Sequence, residues 1–284
     1  VIGGGINGTG VARDCALRGL RVALFEKNDL AFGASGNNSG MIHGGVRYLT
    51  DHPEVTAQSC RDSGYIQAIA PNLLFRIPFR FPIPHDSRKA AIMLAAVDAY
   101  FSFYDRYQPL KHGKPHTRLT PSEVRRLEPG LTTELAGAIT FDEWGTDANR
   151  LCVLNAVDAR EHGAKIHVHT EVESLLRATE SDGTPGRIHG VVTRDTLTGK
   201  RSTTTAKCVV NATGAWAPIT AALGGETSTR VRPGKGIHVC YDRRVSNYAI
   251  VSHAIDGRQI FVMPWGNLSW IGTTDDDYFG DLDE

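Results

Sequence analysis

The 284-residue chain has no run of about 18 apolar residues, so it codes no transmembrane helix. A peripheral membrane contact assembled from distant segments would leave no such run. It also has no excess of either charge: 31 Lys and Arg balance 31 Asp and Glu. Without a basic stripe there is no electrostatic footprint for nucleic acid. Its five cysteines (Cys15, Cys60, Cys152, Cys208 and Cys240) form no C-x-x-C pair, which points to buried reduced thiols in a cytosolic-type protein. His167 and His169, in "HVH", would share one strand face, yet no third ligand stands near, so no metal is expected. No nucleophile elbow supports a Ser-His-Asp hydrolase. Internal repeats and low-complexity segments are missing too. What is present is 41% hydrophobic and 22% charged, an ordinary globular composition with length for two domains.

Both ends read as cuts. A strand feeding a glycine turn usually runs about four to six residues, and only Val1 and Ile2 precede Gly3. The acidic stretch "DDDYFGDLDE" ends the chain just after an apolar strand. The chain is therefore expected to be an internal piece of a longer protein.

Apolar spacing predicts a helix over 6–19, with Ile6, Val11, Ala12, Cys15, Ala16 and Leu17 as its apolar face and Gly19 as its stop. "RVALFE" reads as a strand buried on both faces, and "NDLAFGASGNNSG" as loop. Helices are predicted at about 54–70, 88–107 and 150–163. "LTPSEVRRLEP" carries Thr120 as cap, Pro121 in the first turn and Glu123 three residues on. "FRIPFRFPIP", with Pro78, Pro82 and Pro84, reads as an edge strand or extended segment. A hairpin turning at Thr198-Gly199 is followed by the strand "KCVVNA", and four strand-like runs fill the tail. This order predicts an α/β protein: a Rossmann-like domain from 1–75 and 147–225, interleaved with a β-rich (α+β) domain from 76–146 and 226–284.

The glycines Gly3-x-Gly5-x-x-Gly8 follow a strand remnant and open a helix. Gly3 permits the tight turn, Gly5 lets backbone approach a pyrophosphate, and Gly8 lets the helix pack close on the strand. The diphosphate would rest on the helix N-terminus. Glu26 ends the second strand, where a carboxylate can bind an adenosine ribose and disfavour a 2′-phosphate. The long small-residue loop after Glu26 suits FAD better than NAD. "CVVNATGAW" suits backbone passing close to an adenine nucleotide, through Ala212 and Gly214; alone it would be a plain strand-to-helix turn.

Five stretches carry a resemblance: "GGGINGTGVARDCALRGLRVALFEKNDLAFGAS", "IHGGVRYL", "DEWGTDANRL", "VVNATGAW" and "PWGNLSWIGTTD". With these the chain resembles the FAD-dependent glycerol-3-phosphate dehydrogenases, among the D-amino-acid-oxidase-like flavoproteins, over almost its whole length. The resemblance implies an FAD-binding domain with an interleaved substrate domain. It implies oxidation of sn-glycerol 3-phosphate to dihydroxyacetone phosphate, with electrons passed to a quinone. It further implies a cytoplasmic protein resting peripherally on the inner face of a membrane, and leaves room for a homodimer. Three rivals stay open: oxygen as acceptor, an amine or amino-acid oxidase, and a flavin-binding module without turnover.

Carried over residue by residue, Gly3, Gly5, Gly8, Glu26, Ser35, Ser39, Gly44, Gly45, Ala212 and Gly214 fall at the cofactor. Arg47 and Tyr48 resemble the substrate-phosphate site, where a guanidinium fork can bind two phosphate oxygens. Without the resemblance Arg47 reads as a surface arginine. His238 resembles an active-site base for the C2 hydroxyl, with His43 competing. Arg258 resembles another anion-facing position with a catalytic role, and Asp275 lies where the chain returns toward the substrate. Segments of the types S-G-x-R-P and G-G-K-x-T-T, which complete the family's site, do not occur in this sequence. The 284 residues alone are thus expected to make a poor enzyme.

Overall fold

The computed structural model describes residues 1–85, 89–131 and 134–283. Packing divides the chain into two units, each made of separated segments. One holds residues 1–38, 147–234 and 277–284; the other holds 39–146 and 235–276. The change of unit falls at Ser39, so residues 39–75, which the sequence grouped with the glycine turn, pack in the second unit.

The first unit is built in three layers. Its middle is a short parallel sheet: Asn211 bridges Ile2, Ile2 bridges Phe25, and strand Ala23–Phe25 pairs with Lys165–His167. Helices Ile6–Leu17 and Ala148–Glu161 cover one face through Ala12, Ala16, Leu24, Ala159 and Ala164. Val191 of an antiparallel meander (Thr170–Thr179, Pro185–Asp195, Arg201–Thr205) packs on Ile2 and Phe25. The buried face of the first helix keeps Ala12 and Ala16 of the stripe expected but not its large residues Ile6 and Leu17. Gly8, Thr9, Ala12 and Ala16 are buried, while Ile6 is 37% and Leu17 46% exposed. Small side chains let the helix lie close to its neighbours. Extended pairing of "KCVVNA" is confined to its contact with Ile2. His167 and His169 do not share a strand face either: His167 stacks on Phe25 at 5.1 Å, and His169 has φ +50° just past the strand.

An eight-stranded sheet forms the second unit. Its order is His238–Tyr241, Leu268–Gly272, Gln259–Trp265, Ala249–His253, Leu74–Pro84, Leu135–Thr146, Met41–Ile42, with Thr117–Leu119 also on Leu135–Thr146. Helix Ala90–Tyr104 lies inside the predicted 88–107 span, of which Arg88 is outside the described residues. It buries Leu94, Phe101 and Tyr104 with Phe79, Phe141 and Met263, and Phe101 and Phe79 both stack on Phe141, at 4.7 and 5.1 Å.

Leu74–Pro84 is an interior strand, contrary to the edge position expected for its prolines. Alternate residues of a strand direct N–H to opposite sides, and Pro78, Pro82 and Pro84 share one parity. The long ladder with Leu135–Thr146 therefore runs on the odd residues. Among the described residues the other side pairs through Phe79 and Arg80 alone. The Thr120 capping box forms as predicted: Thr120 N–H donates to Glu123 at 2.7 Å, and Glu123 N–H returns a bond to Thr120 Oγ1 at 3.4 Å. Cys60 and Cys152 are buried, Cys15 is half-buried, and Cys208 and Cys240 are exposed, so the expectation of buried thiols holds for only two of the five. Among the described residues no helix is long and apolar enough to cross a membrane.

Candidate functional site

In the first unit the glycine phrase forms a cradle with Asn211–Gly214. Gly3 has φ +105°, and a Cβ there would meet the Ala212 carbonyl oxygen at 2.5 Å. A Cβ on Gly8 would lie 1.9 Å from the Gly3 carbonyl oxygen. The Asn211 side chain ties the second limb, donating to Ala217 O at 2.9 Å and accepting from Thr213 Oγ1 at 2.7 Å. Gly214 takes φ +58° with open space around it.

Gly5 caps the helix without any capping side chain of its own, and the first turn carries no acidic residue. Four N–H groups at such an end lack helical partners. One of them, Ile6 N–H, donates to Ser35 Oγ at 2.9 Å. The Ser35 hydroxyl also hydrogen-bonds the buried Cys152 thiol, which fixes it at the helix end. The remaining donors, the helix dipole and the absence of a carboxylate in that turn suit a diphosphate.

Glu26 does more than the ribose role expected of it. Its Oε2 accepts Gly4 N–H at 2.7 Å and its Oε1 accepts Asn28 N–H at 2.9 Å. A carboxylate has about four lone-pair sites, so acceptors are left for ribose hydroxyls. Gly4 is a glycine that the spacing rule skips, yet its Cβ would meet Glu26 Cβ at 2.9 Å. The cradle fits an adenine dinucleotide.

The second unit holds the other site residues. His238 Nε2 and Ser39 Oγ lie 3.1 Å apart. Burial lowers the His238 pKa below the usual imidazole value, so the ring is neutral near pH 7. Arg47 and Tyr48 also come together, the guanidinium donating to Tyr48 OH at 2.7 Å with its carbon 4.9 Å from the ring centroid. Arg258 sits at an exposed hairpin tip, bonded to Asp256 at 2.8 Å, and that carboxylate raises its pKa. Among the described residues it shares no hydrogen bond with His238, Ser39 or Arg47. Asp275 is exposed beyond the strand Leu268–Gly272.

Gly44 and Gly45 are buried. Gly45 has φ +68°, and its N–H donates to His43 Nδ1 at 3.1 Å. Beneath them lie Glu143, Lys111, Tyr104 and Cys60, none singled out by sequence reasoning. Glu143 stands inside the quoted "DEWGTDANRL", but a glutamate on a strand gave no sign of burial. Among the described residues no group of three His, Cys, Asp or Glu side chains could hold a metal ion.

The family whose description is FAD dependent oxidoreductase matches residues 1–284. The chain belongs to that family. It is similar to the alpha-glycerophosphate oxidase of Enterococcus casseliflavus, 35% identical over 292 residues, covering 99% of this chain and 47% of that protein. It is similar also to the glycerol-3-phosphate dehydrogenase of Mycobacterium leprae, 36% identical over 291 residues, again 99% of this chain and 47% of the relative. Among solved structures it resembles the glycerol-3-phosphate dehydrogenase from Bacillus halodurans complexed with FAD. There the TM-score is 0.77 at 27% identity, with 100% of this chain and 48% of that chain covered. The chain thus spans about half the length of the curated relatives it matches. The family's cofactor is FAD, and the mixed α/β architecture of this chain is the family's.

Proposed function

We propose that the whole protein oxidises sn-glycerol 3-phosphate at C2 to dihydroxyacetone phosphate. The observation that carries this reading is the dinucleotide cradle, joined to near-equal similarity to an alpha-glycerophosphate oxidase and a glycerol-3-phosphate dehydrogenase across 99% of the chain. FAD, when bound, supplies the two-electron acceptor for the C2 hydride. The chain's own residues do the rest. Ser35 and the first helix's N–H groups hold the diphosphate, and Glu26 holds the ribose. The neutral His238 imidazole takes the C2 hydroxyl proton, so C2–H and O–H bonds are lost as C2=O forms. Arg47, exposed and, among the described residues, tethered only to its neighbour Tyr48, offers its fork to the substrate phosphate. Ser39, Gly44 and Gly45 line the flavin side, and Arg258 and Asp275 stand as outlying substrate contacts.

For the acceptor we take a quinone at the inner face of a membrane, reached peripherally by a cytoplasmic protein that can pair as a homodimer. Oxygen is the second reading, favoured by the likeness to the alpha-glycerophosphate oxidase. The test uses the protein with its full flanking sequence. Anaerobic flavin bleaching by glycerol 3-phosphate, and not by glycine or proline, is the expected result. Bleaching by an amino acid alone would overturn the substrate. Reoxidation by a quinone analogue faster than by oxygen supports the acceptor, and the reverse ranking replaces it.

A further inference from the structure

The reaction drawn above leaves one buried group of charges unused. Lys111 and Tyr104 are 0% exposed and Glu143 1%. Glu143 Oε2 accepts from Gly44 N–H and from Lys111 Nζ, each at 2.7 Å, and Oε1 accepts from Tyr104 OH at 3.0 Å. Lys111 Nζ also donates to Asp142 O at 2.5 Å. Thr56 Oγ1 donates to Gly45 O at 2.9 Å, and Cys60 Sγ lies 3.5 Å from Gly44 O. A Cβ on Gly44 would lie 2.2 Å from the Tyr104 oxygen and 3.0 Å from Lys111 Nζ. The backbone of the turn is therefore pressed onto the charge cluster. Burying an ammonium and a carboxylate is costly, and an apolar pair of equal volume would hold a fold at least as well. The use of the pair lies in what it fixes.

We propose that Glu143, seated on Lys111 and Tyr104, is a positioning residue that sets the His43–Gly45 turn so that His43 acts as a hydrogen-bond donor through Nε2. Gly45 N–H occupies the Nδ1 lone pair of His43, so the proton of the neutral ring sits on Nε2. A ring held this way cannot accept the hydroxyl proton at Nε2. It donates instead to an oxygen of the substrate and leaves the base role to His238. Desolvation lowers the His43 pKa most; of the three charged groups acting on the ring, Glu143 favours its cationic form, while Arg47 and Lys111 oppose it. That the oxygen belongs to a polyol phosphate rests on the proposed function; the tautomer does not.

The test uses flavin-loaded full-length protein labelled with ¹⁵N-histidine, with H43Q identifying the signal. The expected spectrum shows neutral His43 with Nδ1 bare and Nε2 protonated, retained in E143D and blurred into two tautomers in K111M/E143L. A proton on Nδ1 in the wild type would overturn the proposal whatever the substrate proves to be. So would a single Nε2–H tautomer surviving in K111M/E143L. If that variant does not fold, the wild-type tautomer still decides. In turnover, H43A should lower kcat/KM about 100-fold, as loss of one oxyanion donor does. H43Q, whose amide can still donate, should stay within about tenfold of wild type with the acid limb of its pH profile in place. Loss of that limb in H43Q would make His43 the base and overturn the assignment.

Discussion

Adding one methyl group at Gly8 should cost the protein its cofactor, while the same change two residues on should help. The Cβ of Gly8→Ala would stand 1.9 Å from the Gly3 carbonyl oxygen, against an ordinary contact of about 3.4 Å. Either the helix or the Gly3 peptide must move by roughly 1.5 Å, the gap between those two distances. Neither can yield freely. Gly3 N–H is bonded to Phe25 O at 2.9 Å, and Ala212 O already lies 2.5 Å from where a Gly3 Cβ would be. Overpacking of this kind costs about 1–3 kcal/mol, and 1.4 kcal/mol is about tenfold in affinity. The diphosphate donors lie on the first turn of the displaced helix, so FAD affinity should fall about 10–100-fold. Gly10→Ala lies on the same helix, but its Cβ meets nothing within 4 Å. Relief of glycine's helix penalty should there add about 0.5–1 kcal/mol of stability without touching affinity. Flavin-fluorescence titration and thermal melts of the full-length protein read both effects. If G8A bound FAD like wild type, or G10A did equal damage, the close-packing account of the cradle would be wrong.

Three further outcomes are expected. Ser35→Ala removes the acceptor of Ile6 N–H and so loosens the helix end, and FAD affinity should fall about 5–10-fold, near 1 kcal/mol for one hydrogen bond; Kd for FAD measures it. His238 has a folded pKa depressed by burial below the 6.5 of a free imidazole. Its neutral form is favoured by folding, so its contribution is present above pH 6.5 and is lost as pH falls through the folded pKa. The log kcat/KM profile should stay flat through pH 6.5 and fall with unit slope only below the depressed folded pKa, and H238N should abolish that limb. Cys60, pushed up to about 11 by burial, should resist iodoacetamide at pH 8, whereas exposed Cys208 and Cys240 react; peptide mass spectrometry before and after denaturation separates them.

How much of this could be read from the sequence depends on how far apart the partners lie. The glycine phrase, Glu26 and the Thr120 box were legible because each is a local rule: spacing, a strand end, a cap three residues from its partner. Ser35 was placed near the phosphates only by resemblance. Its bond to Ile6 spans 29 residues of chain, which no periodicity encodes. The proline-bearing strand was misjudged because proline's missing N–H argues for an edge; the shared parity of Pro78, Pro82 and Pro84 stands in the sequence, but which neighbour the other side faces is visible only once the register is known. The first helix misled for another reason. Ala12 and Ala16 were rightly given its inward face, but Ile6 and Leu17 were added to it, whereas close approach to the sheet selects Gly8 and Thr9 beside the two alanines. Asp147, which accepts Arg150 N–H at 2.9 Å, moves the start of the next helix back to Ala148.

Two glutamates hold a glycine N–H at 2.7 Å, Glu26 at Gly4 and Glu143 at Gly44, yet their surroundings give them opposite duties. Glu26 is half-buried and spends two acceptor sites on backbone, so it keeps capacity for a ligand. Glu143 is 1% exposed and answers three donors, one of them an ammonium that is itself 0% exposed. Neutralising each should therefore separate binding from folding. Glu26→Gln turns one oxygen into an amide facing a backbone N–H, where water can intervene. It should cost about 1 kcal/mol of stability and more than tenfold in FAD affinity, through the lost ribose acceptor. Glu143→Gln strands the Lys111 ammonium, and breaking a buried pair costs about 3–5 kcal/mol, so the melting temperature should drop before FAD affinity does. The reverse order of effects, with E143Q weakening FAD in a protein that melts normally, would mean that Lys111 finds water and that burial does not decide what these carboxylates do.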